Sequence, residues 1–363
     1  MTKIFFFVKK DSMFFGKEIP ISVDIGSAYI KIARISENRT GSELTLFDYI
    51  EMPLGTIVDG IIEDKGSATQ ALTDLVQKNK LKSPNAILSV SGHSSVIIKK
   101  ITIPKMKEED LANSIKFEAE QYIPFDINDV NIDFQITGDT YQGSDQMDVV
   151  LIAVKKSIVK DYLDVVESAG LTPVIVDLPH FAVSNIFEHS YGLFENETIA
   201  LINIGANSTN MNILKNGVPL FTRDTPIGSI VHSEALMQEF DLTAQDAERL
   251  KRGLTIANVQ PENAEYTIIS ASEEIFADVQ RSIDFFRSSV SEEDISKIFL
   301  SGGVAMTKGF ASVMAERLLI PVEIINPFNN LKISDKVDET MTRQYASLAT
   351  VAIGLSLRRP GDR

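Results

Sequence analysis

Cysteine and tryptophan are both absent from the 363 residues, and histidine occurs only four times. Without cysteine there is no disulfide, no thiolate nucleophile and no Cys-ligated metal, and a thiol-free chain fits a reducing compartment. The histidines, His93, His180, His189 and His232, are scattered without metal-ligand spacing, and no Ser/His/Asp order carries the context of a triad. No apolar run approaches the roughly 18 residues of a membrane span. Ile4–Val8 is too short for a signal-peptide core. Positive charge is also scarce: 35 Lys and Arg stand against 50 Asp and Glu, a formal net charge of −15. Duplex nucleic acid and bare anionic lipid are therefore poor main partners.

What remains is ordinary globular composition, 44% apolar and 23% charged. At about 150 residues per domain the length suggests two or three domains. The aromatic residues of the first 18 positions read as a terminal arm, packed on its own domain or loose, rather than as a contact for a partner or membrane. Ile19–Val23, a glycine turn and Tyr29–Ile35 read as strand, turn, strand, followed by a strand at Leu44–Ile50. Ala68, Ala71, Leu72, Leu75 and Val76 share one helical face. Ala86–Ile103 reads as a hairpin around Ser91-Gly92-His93, then a helix over 108–121 and two strands near 131–136 and 147–154. A helix follows over 158–168, so that 86–170 reads as a small α/β unit inside a larger frame. Gln142-Gly143-Ser144 reads as a flexible tip. The second half predicts strands at 199–204 and 210–214 and helices at 229–240, 244–251, 272–288, 310–319 and 345–357.

Two segments of the chain look alike. Val23-Asp24-Ile25-Gly26-Ser27-Ala28-Tyr29-Ile30-Lys31 and Ile202-Asn203-Ile204-Gly205-Ala206-Asn207-Ser208-Thr209-Asn210 each run buried strand, small polar residue, Ile-Gly, small residues, polar-rich strand. Glycine lets backbone N–H groups approach closely and form an anion nest. Two such nests across a cleft would clamp a polyphosphate, with hydroxyls of Ser27, Ser208 and Thr209 as donors and Lys31 as counter-charge. Asp24 stands where a carboxylate can hold hydrated Mg²⁺ through water. Alone, each turn is an everyday hairpin. A third element, Leu300-Ser301-Gly302-Gly303-Val304, offers flat backbone to an adenine or its α-phosphate. On a fourth, Glu248 and Lys251 share a helical face and can reach a ribose, or form a plain exposed ion pair.

In that order the four elements resemble the actin, Hsp70 and sugar-kinase superfamily: Asp24–Lys31 and Asn203–Thr209 look like its phosphate motifs, Leu300–Val304 its adenosine motif and Ala349–Leu355 its second connecting helix. The placement of the extra α/β unit is similar to the cell-division protein FtsA. The PilM family of type IV pilus assembly resembles the chain throughout from Ile19 onward. The resemblance is carried by Ser89-Val90-Ser91-Gly92-His93, Val96–Lys100, Glu118–Asp126, Phe221-Thr222-Arg223-Asp224 and Gly354–Gly361.

It implies an actin-like (ribonuclease H-like) two-domain α/β fold with an FtsA-like inserted subdomain. The expected divisions are an arm over 1–18, a first domain of 19–85 and 171–198 with the C-terminal helix 340–358, an inserted unit of 86–170 and a second domain of 199–339. Implied cofactors are ATP and Mg²⁺. The implied site is Asp24, Gly26, Ser27, Ala28, Lys31, Asn203, Gly205, Ala206, Asn207, Ser208, Thr209, Gly228, Glu248, Lys251, Gly302, Gly303 and Val304. Implied partners are the N-terminal cytoplasmic peptide of PilN, in a groove involving the inserted unit, and other pilus inner-membrane platform and motor proteins. Val96, Ile98, Phe117 and Tyr122 are candidate contacts, core packing being the plainer reading of each. The implied location is cytoplasmic, peripheral to the inner membrane through protein partners.

Two positions depart from the superfamily. Its second phosphate motif usually opens with Asp, and here stands Asn203. Its first connecting helix usually offers Gln or Glu to the attacking water, and Pro179 falls there. His180 beside it has base chemistry, but with no carboxylate partner legible it reads as structural. No residue receives a catalytic role, and the expectation is an ATP-binding scaffold with slow or no hydrolysis. An active actin-like ATPase or filament former is the alternative. A small-molecule kinase would need a general base that is not evident. A division role like that of FtsA lacks its C-terminal membrane helix.

Overall fold

The computed structural model describes residues 6–7, 19–38, 41–82, 84–139, 145–291, 293–359 and 362. Along the chain come β1 (Phe6–Phe7), β2 (Ile21–Ile25), β3 (Tyr29–Asn38), β4 (Gly41–Glu51), the short β5 (Ile57–Val58) and β6 (Ile61–Ile62), α1 (Lys65–Lys78) and β7 (Asn85–Ser89). There follow β8 (Val96–Pro104), α2 (Glu108–Glu120), β9 (Val130–Asp139), β10 (Gln146–Lys155), α3 (Lys156–Ser168), β11 (Thr172–Asp177) and α4 (Pro179–Tyr191). The second half contains β12 (Thr198–Ile204), β13 (Thr209–Lys215), β14 (Val218–Thr225), α5 (Ile230–Phe240), α6 (Ala244–Lys251) and α7 (Pro261–Ser289). It ends with β15 (Ile295–Ser301), α8 (Phe310–Leu318), β16 (Val322–Ile324), β17 (Leu331–Ile333), α9 (Glu339–Gln344) and α10 (Ala346–Leu355).

Two sheets carry the frame. One has seven strands in the order β1-β11-β7-β2-β3-β4-β17, the other five in the order β14-β13-β12-β15-β16. Both are buried on two faces, which is why β2 and β12 read as near-continuous apolar runs. In the first sheet Val23, Ile30 and Ile32 pack on α1 and α3, while Ala33 and Ile35 pack on Ile186 of α4 and Ala349 and Ala352 of α10. In the second, Ile202, Ile204 and Met211 face Phe276, Val279 and Ile283 of α7, while Leu201 and Phe299 face Ala182, Phe187 and Val351. Helices α4 and α10 thus lie between the sheets and belong to both cores. They touch backbone to backbone: a Cβ on Gly354 would stand 2.0 Å from the Ala182 carbonyl oxygen. Beyond α10, Arg358 Nε donates to Asp177 Oδ2 at 2.8 Å, both side chains fully buried, which ties the chain's end to β11.

A third, antiparallel sheet of order β8-β10-β9 forms the inserted unit. Its Val149, Leu151 and Ala153 cover α2, and its Val150, Ile152 and Val154 join the core under α3. The hairpin expected over 86–103 does not form. β7 pairs parallel with β2 and β11 in the large sheet, β8 pairs antiparallel with β10, and the chain crosses between sheets at 90–95. Periodicity sees apolar residues but not which sheet receives them. β7 and α3 therefore pack with the large sheet although α3 and all of β7 but Asn85 fall within 86–170. Likewise β17 pairs with β4, bringing part of 199–339 back to the first sheet. Helix α4 gave no readable stripe because it is buried on nearly every side. α7 starts eleven residues before the expected Ser272, with Pro261 at its first turn and Ala264 and Ile268 packed against Leu236 and Leu250.

The arm over 1–18 lies outside the described residues except Phe6–Phe7, which pair antiparallel with Val176 and Ile175 of β11. The tip at 142–144 lies outside them too.

A cleft between two matched hairpins

β2 and β3 meet in a tight turn in which Gly26 N–H donates to the Tyr29 carbonyl at 3.0 Å. β12 and β13 repeat it: Gly205 N–H donates to the Ser208 carbonyl at 2.8 Å. The register is repeated as well. Asp24 sits opposite Lys31 in the first hairpin and Asn203 opposite Asn210 in the second. In the first, Asp24 Oδ2 and Lys31 Nζ are 2.6 Å apart with both side chains about nine-tenths buried. In the second, Asn203 Nδ2 donates to Asn210 Oδ1 at 3.1 Å. The matched hairpins thus present one charged and one neutral pair to the space between them.

Two further glycines set the walls. Gly302, at φ +91°, closes against the second hairpin so tightly that a Cβ would stand 2.2 Å from the Ile204 carbonyl oxygen. Its N–H donates to Ser347 O on α10 at 2.9 Å, and Ser301 Oγ donates to Asn203 Oδ1 at 3.2 Å. Gly228 lets α5 begin against the same hairpin, where Ser229 and Ile230 N–H donate to the carbonyls of Gly205 and Ala206 at 3.0 and 2.8 Å. Side chains at either glycine would push loop from strand.

Every expected site residue except Thr209 and Gly228 lines one cleft of ≈230 Å³ between these walls. Thr209 lies behind, its Oγ1 donating to Ile227 O at 2.7 Å, and Gly228 lies under Ala206. Glu248 and Lys251 are not an exposed pair. Lys251 Nζ bonds Glu248 Oε1 and Ser233 Oγ at 2.8 Å and Ser229 Oγ at 3.2 Å. Burial pushes the Lys251 ammonium below its usual range, against the pull of Glu248. Burial opposes ionisation of Glu248, but the Lys251 charge, the hydrogen bonds from Lys251 and Ser233 and the Arg252 charge together outweigh it and hold the carboxyl low.

The cleft also has residues that the sequence reading passed over. Tyr29 lies under the Arg252 guanidinium, 5.6 Å from ring centre to charge, and Arg252 is ion-paired with Glu51 of the opposite domain. Tyr345 joins the same wall through Tyr49, ring centres 4.9 Å apart. Arg252 adjoins Lys251 and Tyr29 lies inside the first motif, so adjacency was the available signal.

His180 does have a carboxylate partner. Nε2 lies 2.7 Å from Asp224 Oδ1, with both side chains buried. The histidine is 3% exposed and stands one layer behind Pro179, which lines the cleft. Asp224 Oδ1 also accepts from Asn210 Nδ2 at 2.7 Å. A buried polar chain thus runs Ser301–Asn203–Asn210–Asp224–His180 from cleft wall to helix α4. The partner was invisible because Asp224 is a strand residue 44 positions away.

Among the described residues no group of three or more His, Asp or Glu is arranged to hold a metal, and no helix is long and apolar enough to cross a membrane. Of the candidate peptide contacts, Val96 is core, Ile98 and Tyr122 are half-buried, and Phe117 is 78% exposed.

Two matched sheets, a helix pair shared between them and a cleft at facing glycine hairpins define the actin-like fold. Two solved structures share that fold at low sequence identity. One is the ethanolamine utilization protein EutJ from Carboxydothermus hydrogenoformans (14% identity, TM-score 0.59, over 94% of this chain and 90% of that one). The other is MreB5 of Spiroplasma citri bound to AMPPNP (13%, 0.50, 93% and 94%).

Residues 22–360 match the family described as type IV pilus assembly protein PilM, and the chain belongs to that family. The structure is also similar to that of a PilM–PilN type IV pilus biogenesis complex, at 25% identity and a TM-score of 0.82 over 94% of this chain and 99% of that one.

Proposed function

We propose that this protein is an ATP-binding scaffold of the type IV pilus inner-membrane assembly platform, and that it binds the N-terminal cytoplasmic peptide of PilN and hydrolyses ATP slowly or not at all. Its place is the cytoplasmic face of the membrane, held there by protein partners, other platform and motor proteins among them. Membership of the PilM family and similarity to a PilM–PilN complex support the pilus role and the partner. The observation that carries the nucleotide reading is the facing pair of glycine hairpins with Lys31 and Lys251 in one cleft.

The donor set suits a polyphosphate: two ammonium groups, the Ser27 and Ser208 hydroxyls and the Asn207 amide line the same space. Asp24 and Asn203, at matching positions of the two hairpins, both present side-chain oxygens to this space. They would hold a hydrated Mg²⁺ through its waters. Bound there, the cation would neutralise charge on the phosphates. Lys31, freed from Asp24 by the arriving phosphate, would take the phosphate charge as Asp24 turns to the hydrated cation. Glu248, fixed by Lys251 and Ser233, would meet the ribose hydroxyls. The Pro179 side chain presents no donor or acceptor to an attacking water, and Asn203 has no charge with which to draw its proton. Phosphoryl transfer depends on such positioning, so binding outlasts turnover.

The test is to purify the protein without added nucleotide, denature it and chromatograph what is released, then titrate Mg-ATP into emptied protein. Released ATP, or tight binding with negligible phosphate release, supports the reading. Fast steady-state phosphate release abolished in Asp24→Ala overturns the slow-hydrolysis part and favours an active actin-like ATPase or filament former.

A further inference from the structure

β5 and β6 are joined by Asp59-Gly60, both at positive φ (49° and 72°), the two-residue turn that Asp-Gly favours. This turn lies directly on the crossing segment that carries the chain from the large sheet into the inserted unit. A Cβ on Gly60 would stand 1.9 Å from the Ser91 carbonyl oxygen, and one on Gly92 2.6 Å from that of Asp59. Only two glycines allow that approach. Asp59 then fastens the contact. Oδ1 accepts from His93 N–H at 3.1 Å and lies 2.5 Å from His93 Nδ1, and Oδ2 accepts from Ser94 Oγ at 2.6 Å. Two residues on, Val96 begins β8.

The other side of the same hairpin is held from across the cleft. Asn207, in the second glycine turn, donates from Nδ2 to the Ile57 carbonyl at 3.2 Å. A six-residue hairpin, 57–62, therefore touches, at one end, a loop of the second domain that faces the cleft and, at the other, the root of the inserted sheet. At a second point the same two bodies meet: Thr222 Oγ1 of β14 donates to Ile98 O of β8 at 3.1 Å.

We propose that the β5–β6 hairpin is the coupling through which occupancy of the cleft sets how firmly the inserted β8-β10-β9 sheet is seated, with Asp59 as the positioning residue. This rests on the nucleotide reading of the cleft. A polyphosphate drawn onto the 205–208 turn fixes Asn207. Asn207 fixes Ile57, and the Asp59 clamp passes that order to residues 91–95. The ligand acts on the inserted unit only through its preference for the clamped arrangement.

Amide hydrogen exchange on the full chain with and without Mg-ATP tests this. The comparison is between the wild type, Asp59→Ala and the double variant His93→Ala/Ser94→Ala, with ATP affinity titrated separately for each. In the wild type, ATP is expected to slow exchange in the 205–208 turn and also, about fivefold or more, in β8 and β10. In both variants the slowing in β8 and β10 is lost while that at 205–208 remains. A wild type that responds at 205–208 but not in β8 or β10 overturns the proposal, as do variants that keep the full response. If titration shows no ATP binding at all, the nucleotide reading fails, and this coupling with it.

Discussion

His180 and Asp224 meet at 2.7 Å across the boundary between the two domains, a helix residue of one against a strand residue of the other. Asp224 also receives the Asn210 amide, so its removal leaves that amide without its acceptor and the buried His180 ring without its carboxylate neighbour. Asp224→Ala is expected to lower unfolding free energy by about 1–3 kcal/mol, read as a shift in urea midpoint. A double-mutant cycle with His180→Ala should show non-additivity. Strictly additive losses would mean that the two side chains are neighbours without interaction.

Lys31 is expected to be worth more to ligand than to fold. Its ammonium faces Asp24 in the cleft, beside the first glycine turn. Lys31→Ala should weaken Mg-ATP binding about ten- to a hundredfold by titration calorimetry, the scale of one lost charged hydrogen bond. Unchanged affinity would put the phosphates elsewhere.

Hydrolysis should be recoverable. Asn203→Asp restores a carboxylate opposite Asn210, and Pro179→Glu puts one at the first turn of α4, where the helix dipole welcomes it. Phosphate release by the double variant is expected to rise about a hundredfold or more over wild type, the scale of a positioned base. If the rate stays flat although ATP still binds, the missing groups are not what limits turnover.

His232 gives the fold an acid sensitivity. It is 1% exposed, with Nε2 2.9 Å from Ser272 Oγ. Burial, aided by the Lys251 charge, pushes it down to about 4. Unfolded histidine titrates near 6.5, so between those values the unfolded chain holds a proton that the folded chain refuses. Stability present above about pH 6.5 is lost as pH falls through 4, by about 3 kcal/mol in total. His232→Gln should lose this part of the dependence. Equal shifts in urea midpoint between pH 7 and pH 5 for the two proteins would refute it.

The cleft was more legible than the sheets around it. Its hairpins, double glycine and α6 pair are local patterns, each contained within ten residues or fewer. The four came together because an actin-like chain repeats one hairpin. What escaped was non-local. Ala86–Ile103 contains two strands of correct type, but their partners come from 21–23, 146–154 and 172–177. Helix α4 lacks a polar face because both sheets cover it. Asp59-Gly60 is a strong hairpin signal, yet its strands are only two residues long and leave no periodic trace. Asp224 and Arg252 act on groups far away in sequence.

The shared helix pair has a consequence for any attempt to divide the molecule. The second sheet rests Leu201 and Phe299 on a helix made before it and a helix made after it. Expressed alone, that half would present this face to water and aggregate. The first half cannot close its own face before α10 is synthesised. The chain has to be finished before either half is stable. Gly354, where a single methyl would pry the pair apart, is where the two halves become one protein.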